Sequence, residues 1–160
     1  MVLLNVFMAL AWVALTGEFT PGNFLTGLVL AYLVLVLTEV TTGRQTGYVQ
    51  RVWLLLKFIA FFLKELVVST LRVARWVLTP RLTMRPAVVA VPLTITTDAQ
   101  ITLLGNMITL TPGTLTLDVA GDQSCIYVHV FNVDDIEAFR EEIKQGFERR
   151  ILEVWAAWNW

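Results

Sequence analysis

Three carboxylates stand in the largely apolar first half of the chain, and cation or proton binding is the chemistry they could perform. Glu18, Glu39 and Glu65 are the acids of residues 1–86. A carboxylate inside a membrane is a functional candidate because its charge is costly to bury there. Glu18 falls in a turn and Glu39 near a helix end, so Glu65, next to Lys64, is the strongest candidate for an ion route. The alternative for Glu65 is a surface charge pair that anchors an amphipathic helix, and the alternative for Glu39 is snorkelling to the interface or capping of the helix end.

Two further features carry polar groups that could act outside the apolar half. His129 is the only histidine, and its ordinary pKa of about 6.5 makes it a candidate pH-sensitive group. Thr111-Pro112-Gly113-Thr114 predicts a tight turn, because proline fixes φ and glycine permits positive φ. The flanking hydroxyls cap that turn or contact a partner. The sequence contains no catalytic triad, no metal-ligand cluster and no cofactor motif, so we expect no enzyme.

Charge divides the chain into two parts of different character. Residues 1–86 have a formal charge of +5 and residues 87–160 of −6, while 56% of the chain is hydrophobic and 16% charged. This composition predicts a membrane region joined to a small acidic domain. The acidic domain excludes nucleic-acid binding. The single cysteine, Cys125, fits a reducing compartment.

The membrane region begins with two apolar runs, which predict helices over about 2–16 and 24–40. Two glycines and a proline in residues 17–23 predict the turn between them. Both runs are short, because a helix normally needs about 20 residues to cross the hydrocarbon core. We therefore expect a membrane helical hairpin in a locally thin bilayer, or one whose ends neighbouring subunits cover.

A third helix, about 52–78, is amphipathic. Lys57, Lys64 and Arg75 fall close to one line at about 100° per residue. The helix either lies on the cytoplasmic surface or spans the membrane as a third helix; we favour the former. The turn of the hairpin contains only Glu18 as a charge, whereas many arginines follow the hairpin, so both schemes place the later domain in the cytoplasm. These arginines are Arg44, Arg51, Arg72, Arg75, Arg81 and Arg85.

Residues 87–160 change to the patterns of a small α+β domain. A β-branched run over 87–96 predicts a strand, and Asp98 is placed to cap a short helix. Alternation over 114–119 and 126–130 predicts a hairpin, and apolar residues at spacings of three and four from Asp135 onward predict a terminal helix. The predicted fold is a membrane α-helical hairpin plus an amphipathic helix, followed by a small cytoplasmic α+β domain of order β-α-β-β-α.

The segment from Asn106 to Thr114, followed by Tyr127-Val128-His129-Val130, resembles the E subunit of the Mrp (Mnh) multi-subunit sodium/proton antiporters. The apolar hairpin, the Lys/Glu-bearing helix and the terminal helix follow in the family's order along essentially the full chain. The resemblance implies a multi-pass subunit in a bacterial plasma membrane. It implies as partners the large antiporter-like subunits, the small F and G subunits and membrane lipid, with Na⁺ and H⁺ exchanged by the complex.

From this resemblance we expect an accessory subunit that completes the architecture of the complex and shapes an ion route with the neighbouring small subunits. One alternative is an assembly or stability factor that touches no ion. Another is a self-contained small channel or carrier, which the scarcity of buried acids and the lack of repeated polar helices disfavour. The motif carries no residue-level functional assignment.

Overall fold

Helices occupy the N-terminal half of the chain, and a small sheet lies in the C-terminal half. The computed structural model describes residues 1–43, 47–79 and 84–158; Arg44 and Arg81 lie outside these ranges. The chain divides into two compact units, Met1–Trp53 and Leu54–Trp160. In chain order the elements are α1 (Val2–Thr16), α2 (Pro21–Thr42), α3 (Tyr48–Val77), β1 (Ala87–Pro92), α4 (Asp98–Leu110), β2 (Thr114–Val119), β3 (Cys125–Val130), α5 (Ile136–Glu141), a π-helical segment (Glu142–Glu148) and α6 (Arg149–Trp158).

The connection between α1 and α2 fixes where both helices end. Gly17 closes α1 in the left-handed conformation with φ 72°, which glycine adopts without steric cost. Helix α2 begins at Pro21, before the predicted start at residue 24, because the Thr20 side chain caps it by accepting a hydrogen bond from the Asn23 amide at 3.2 Å. Proline is favoured at the first helical position, because it has no amide hydrogen that would need a partner there.

Helices α1 and α2 pack closely where glycine faces alanine. A Cβ added at Gly27 would lie 3.0 Å from the Ala9 carbonyl oxygen, so a larger residue would push the two helices apart by a few tenths of an ångström. The neighbouring Asn5 is buried in α1 and donates to the Leu28 carbonyl at 3.5 Å. The hairpin is thus held by small-residue packing and an interhelical polar contact, as in membrane helix pairs.

Among the described residues, one helix, α2, is long and apolar enough to cross a membrane. Helix α1 is apolar but has 15 residues. Helix α3 starts at Tyr48 and ends at Val77, against the predicted range 52–78. Its earlier start has a local cause, because the Glu39 carboxylate accepts a hydrogen bond from the Tyr48 amide at 3.3 Å and so binds one of the amides that a helix start leaves unpaired.

The sheet of the second unit has three antiparallel strands in the order β1-β3-β2. One face carries the buried core residues of the strands, and α4 and the C-terminal helices cover it. The other face is open. Val88 of β1 and Leu115 of β2 both pair with His129 of the central strand, and these two apolar side chains are 59% and 45% exposed. The buried strand residues are Val89, Val91, Ile126, Val128 and Val130.

Helix α3 belongs with the sheet domain from residue 54 onward. Phe58, Phe61 and Phe62 pack against the domain core, and the Phe61 ring meets that of Phe147 edge-on, with centroids 5.6 Å apart. The compact units therefore divide between Trp53 and Leu54, whereas the change in sequence composition lies near residue 86. Aromatic packing of an amphipathic helix is invisible to composition.

Two helix details differ from the sequence-based expectations. The cap of α4 is Thr97 and not Asp98, because Thr97 and Gln100 form a reciprocal capping box, which satisfies two helix-start amides at once. The predicted continuous terminal helix contains the π segment between α5 and α6. Its buried residues Phe139, Ile143, Phe147 and Ile151 recur every four positions, and the wider turns of a π segment keep such a repeat on one face.

Candidate functional site

A cleft of about 320 Å³ in the second unit brings together two features that the sequence singled out separately. Glu65 of α3 lines one side, and the turn of residues 111–114 lines the other. The loop before α5 and the start of the π segment complete the wall. The polar residues of the cleft are Glu65, Ser69, Arg72, Thr111, Thr114, Asn132, Asp134, Asp135 and Glu142.

The α3 side of the cleft is fixed by local hydrogen bonds and one ion pair. The buried Ser69 hydroxyl donates to the Glu65 carbonyl at 2.7 Å, as serine commonly does inside a helix. Arg72 faces Glu142 of the π segment at 3.9 Å, with both side chains about half exposed. An ion pair this exposed contributes little stability, about 0–1 kcal/mol. It links α3 to the π segment at the edge of the cleft.

The turn of residues 111–114 closes helix α4 and supports α3. The Thr111 hydroxyl donates to the Met107 carbonyl at 2.8 Å, and the Thr114 hydroxyl to the Ile108 carbonyl at 2.7 Å. Both hydroxyls thus satisfy carbonyls at the end of the helix. Gly113 has φ 95°, and a Cβ there would lie 3.3 Å from Cγ2 of Val73 on α3. These contacts favour the structural interpretation of the turn.

The structure separates Glu65 from its neighbour Lys64. Glu65 is half-buried in the cleft, whereas Lys64 is exposed, because adjacent helix positions point in different directions. Among the salt bridges of the described residues there is none between the two. Glu39 lies in the other unit, where it accepts from the Tyr48 amide. The ion-route role of Glu65, Lys64 and Glu39 stays a prediction.

His129 lies on the open face of the sheet and not in the cleft. Its side chain is half-buried between Val88 and Leu115, opposite to the buried Val128 and Val130, as the strand alternation predicts. An imidazole between two exposed apolar side chains forms the centre of a mixed apolar and polar patch. A pH-sensitive role of His129 stays a prediction.

Sequence reasoning missed the buried carboxylate of Glu148. This side chain is 3% exposed and accepts hydrogen bonds from the backbone amides of Thr94 and Ile95, the latter at 2.9 Å. It therefore ties the chain after β1 to the end of the π segment. Glu148 stands in a charged stretch beside Arg149 and Arg150, so the sequence suggests an exposed side chain, and the π segment that accompanies its burial is not evident from the sequence.

The chemistry of these groups is that of holding elements together. The cleft pairs one arginine with one glutamate, and the Asp135 carboxylate caps α5 by accepting from the amides of Glu137 and Ala138. Within residues 1–43, 47–79 and 84–158 no group of three or more His, Cys, Asp or Glu side chains is arranged to hold a metal ion. The geometry positions α3 against the sheet domain.

Comparison with known proteins gives a consistent result across the chain. A family model described as Na⁺/H⁺ ion antiporter subunit matches residues 5–154. The chain is 37% identical over 153 residues to the E subunit of the Na⁺/H⁺ antiporter of Alkalihalophilus pseudofirmus, and 36% identical over 153 residues to that of Bacillus subtilis; each match covers 96% of both proteins. Among solved structures, a chain of the membrane-bound sulfane sulfur reductase, an archaeal respiratory membrane complex, aligns with a TM-score of 0.61 and 29% identity, covering 96% of this chain and 97% of that one.

Proposed function

The chain belongs to the family of Na⁺/H⁺ antiporter E subunits, and from this premise we propose that it is an accessory subunit with an architectural role. The family predicted from the sequence is confirmed, and with it a subunit of a multi-subunit antiporter, a transporter component. What the subunit contributes is our proposal: it joins a membrane hairpin to a cytoplasmic sheet domain through α3. The other antiporter subunits dock on that domain.

The observation that carries this proposal is the two-sided character of α3. One side packs on the sheet domain through Phe58, Phe61 and Phe62. On the opposite side, residues at spacings of seven and four are apolar and exposed: Leu56, Leu63, Val67 and Leu71. A helix with one face on protein and one apolar face open is suited to lie in the membrane interface. We therefore place α3 along the cytoplasmic surface, between lipid and the sheet domain.

The charges of α3 and the following segment support a cytoplasmic domain. Arg51, Arg72, Arg75 and Arg85 follow the hairpin, whose turn carries Glu18, and basic residues concentrate on the cytoplasmic side. A single-cysteine test uses the Cys125→Ser background. A cysteine at Ser124 should react with an impermeant maleimide only in inside-out vesicles, and one at Glu18 only in right-side-out vesicles. The reverse pattern would overturn the orientation.

The open sheet face is the surface we assign to a partner subunit. Val88, Leu115 and Tyr127 expose apolar area around His129. An exposed apolar patch rimmed by polar groups is typical of an interaction site, and the membership in a multi-subunit family supplies the class of partner. Assembly through this face requires no ion contact by the chain itself.

Leu115→Lys tests this assignment. Loss of a central interface side chain costs about 2 kcal/mol or more, which is roughly a thirtyfold loss of affinity. Leu110→Lys is the matched control, because Leu110 is 62% exposed but lies on α4, on the other side of the sheet. We expect the first variant to lose co-purifying antiporter subunits and the control to keep them. Equal recovery of subunits by both variants would contradict the proposal, as would recovery of the wild-type chain alone.

A second candidate function is a direct part in the ion route, favoured by the position of Glu65. Its side chain lines the cleft and forms no salt bridge among the described residues. Glu65→Gln removes the charge at nearly constant size, and Glu141→Gln removes one from an exposed position outside the cleft. The architectural account predicts normal Na⁺/H⁺ exchange per complex in inverted vesicles for both. Loss of exchange at normal abundance for Glu65→Gln alone would establish the ion-route function instead.

A further inference from the structure

A second cavity, of about 370 Å³, lies between α3 and the C-terminal helices and plays no part in the site described above. Three basic side chains and one acidic side chain line it, namely Lys57, Arg149, Arg150 and Glu153. Phe58 and Phe61 form its apolar wall. All of these residues belong to the second unit.

The two arginines of this cavity are held in place by their neighbours. The guanidinium carbon of Arg150 lies 3.7 Å from the centroid of the Phe61 ring, a cation–π contact. Its Nη1 atom donates to the carbonyls of Gln145 and Gly146 at 3.0 and 2.7 Å. Arg149 is oriented by Glu153, which accepts from its Nε atom at 2.9 Å. Both arginines are thus preorganised, and with Lys57 they give the lining of the cavity a net positive charge.

The position of the cavity on α3 indicates what kind of anion it receives. Lys57 stands on the helix between the side packed on the sheet domain and the outer apolar side. Leu56 and Leu63 on that outer side are 52% and 55% exposed. A ligand with its negative charge at Lys57 would have exposed apolar surface directly beside it. An amphiphile with an anionic head and hydrocarbon chains matches both parts, whereas a soluble anion matches one.

We propose that this cavity binds the phosphate group of an anionic phospholipid, with the acyl chains lying along the outer face of α3. Basic pockets on the cytoplasmic side of membrane proteins bind such headgroups, and arginine and lysine form charge-assisted hydrogen bonds with phosphate oxygens. The site rests on the proposed placement of α3 at the membrane surface. It would fix the depth and rotation of α3 in the interface.

Titration of the full chain in a mild non-ionic detergent tests the site directly. The probes are dihexanoyl-phosphatidylglycerol, dihexanoyl-phosphatidylcholine and inorganic phosphate. Their binding is measured by isothermal titration calorimetry. We expect saturable binding of phosphatidylglycerol. Phosphatidylcholine and inorganic phosphate should each bind at least about tenfold more weakly, because the first lacks a net negative charge and the second lacks acyl chains. Equal binding of inorganic phosphate would overturn the lipid assignment, and equal binding of phosphatidylcholine would overturn the role of the charge.

Matched variants locate the binding. Lys57→Gln with Arg149→Gln removes two charges from the cavity, whereas Lys64→Gln with Arg75→Gln removes two from the same helix outside it. Each basic residue near an anionic lipid is worth about fivefold in affinity, so the first pair should weaken binding roughly thirtyfold and the control pair about twofold or less. Equal losses would reduce the site to general attraction and overturn it.

Two further readouts keep this result separate from folding and from the proposed function. Arg150 is left intact because it supports the π segment, and thermal unfolding of both double variants should match the wild type. Co-purification of antiporter subunits depends on the open sheet face and should also be unchanged. If the cavity double variant lost antiporter subunits but bound lipid normally, that result would count against the architectural proposal alone. If it lost lipid binding but assembled normally, that result would confirm a separate site.

Discussion

Gly113→Ala should loosen α3 from the sheet domain, for two reasons that can be separated by experiment. Gly113 has φ 95°, a conformation that costs an L-residue about 1–2 kcal/mol. In addition, the new Cβ would lie 3.3 Å from Cγ2 of Val73, so the turn or α3 must move by a few tenths of an ångström. Together we expect the free energy of unfolding to fall by about 2–3 kcal/mol.

The assay is chemical denaturation of the purified full chain in detergent, monitored by tryptophan fluorescence. Trp76 reports on this region because it packs on Phe131 near the turn. Gly121→Ala is the matched control, since Gly121 lies in a turn without positive φ and with nothing within 4 Å of an added Cβ. That change should be neutral or stabilising by about 0.4–1 kcal/mol.

A double-mutant cycle with Val73→Ala separates the two costs. Truncating Val73 removes the Cγ2 atom, so Gly113→Ala in that background should retain the conformational cost and lose the steric one. The coupling energy then measures the contact between the turn and α3. If Gly113→Ala destabilised the chain no more than Gly121→Ala, the reasoning that the turn supports α3 would be refuted.

Three other perturbations probe the remaining contacts. Glu148→Ala leaves the buried Ile95 amide and the partly buried Thr94 amide unpaired and should cost about 1–3 kcal/mol, whereas Glu148→Gln keeps an acceptor and should cost less in the same denaturation assay. Gly27→Ala forces α1 and α2 apart and should cost about 1–3 kcal/mol, while Gly22→Ala, with open space around it, should change the thermal midpoint little. Hydrogen bonds from Ser124 hold the pKa of the Asp122 carboxyl below its usual range. The ionised Asp122 carboxylate therefore stabilises the fold above the unfolded pKa of about 3.9, and this stabilisation is lost as the pH falls through the lowered pKa of the folded state. Ser124→Ala should raise the pKa of Asp122 in an NMR titration, and the absence of a rise would contradict the role of Ser124. Equal destabilisation by Glu148→Ala and Glu148→Gln, or by Gly27→Ala and Gly22→Ala, would contradict the contacts assigned to Glu148 and Gly27.

Local signals in the sequence predicted the elements well where the cause was local. Helix α1 spans Val2–Thr16, as the apolar run predicts, because Gly17 ends it. The starts of α2 and α4 moved because Thr20 and Thr97 supply the caps, and several polar residues near each start were possible caps. The hairpin of β2 and β3 follows from its alternation.

The candidate site was predicted in pieces and not as a whole. The turn of residues 111–114 and Glu65 are distant in sequence, and their meeting in one cleft depends on how α3 packs on the sheet domain. Phe58 and Phe61 direct that packing, but the sequence pattern alone fits lipid contact equally well. Glu148 turns inward because of the π segment, which no periodicity rule predicts.

The central claim is that α3 lies along the membrane surface and links the hairpin to the sheet domain. The most direct test measures the depth of nitroxide labels at cysteines replacing Leu56, Leu63, Val67 and Leu71, one at a time in the Cys125→Ser background, in reconstituted bilayers. The account predicts that all four lie at one shallow depth of about 5–10 Å. A spanning helix would instead spread them over about 22 Å of depth, at about 1.5 Å per residue, and that gradient would contradict the account.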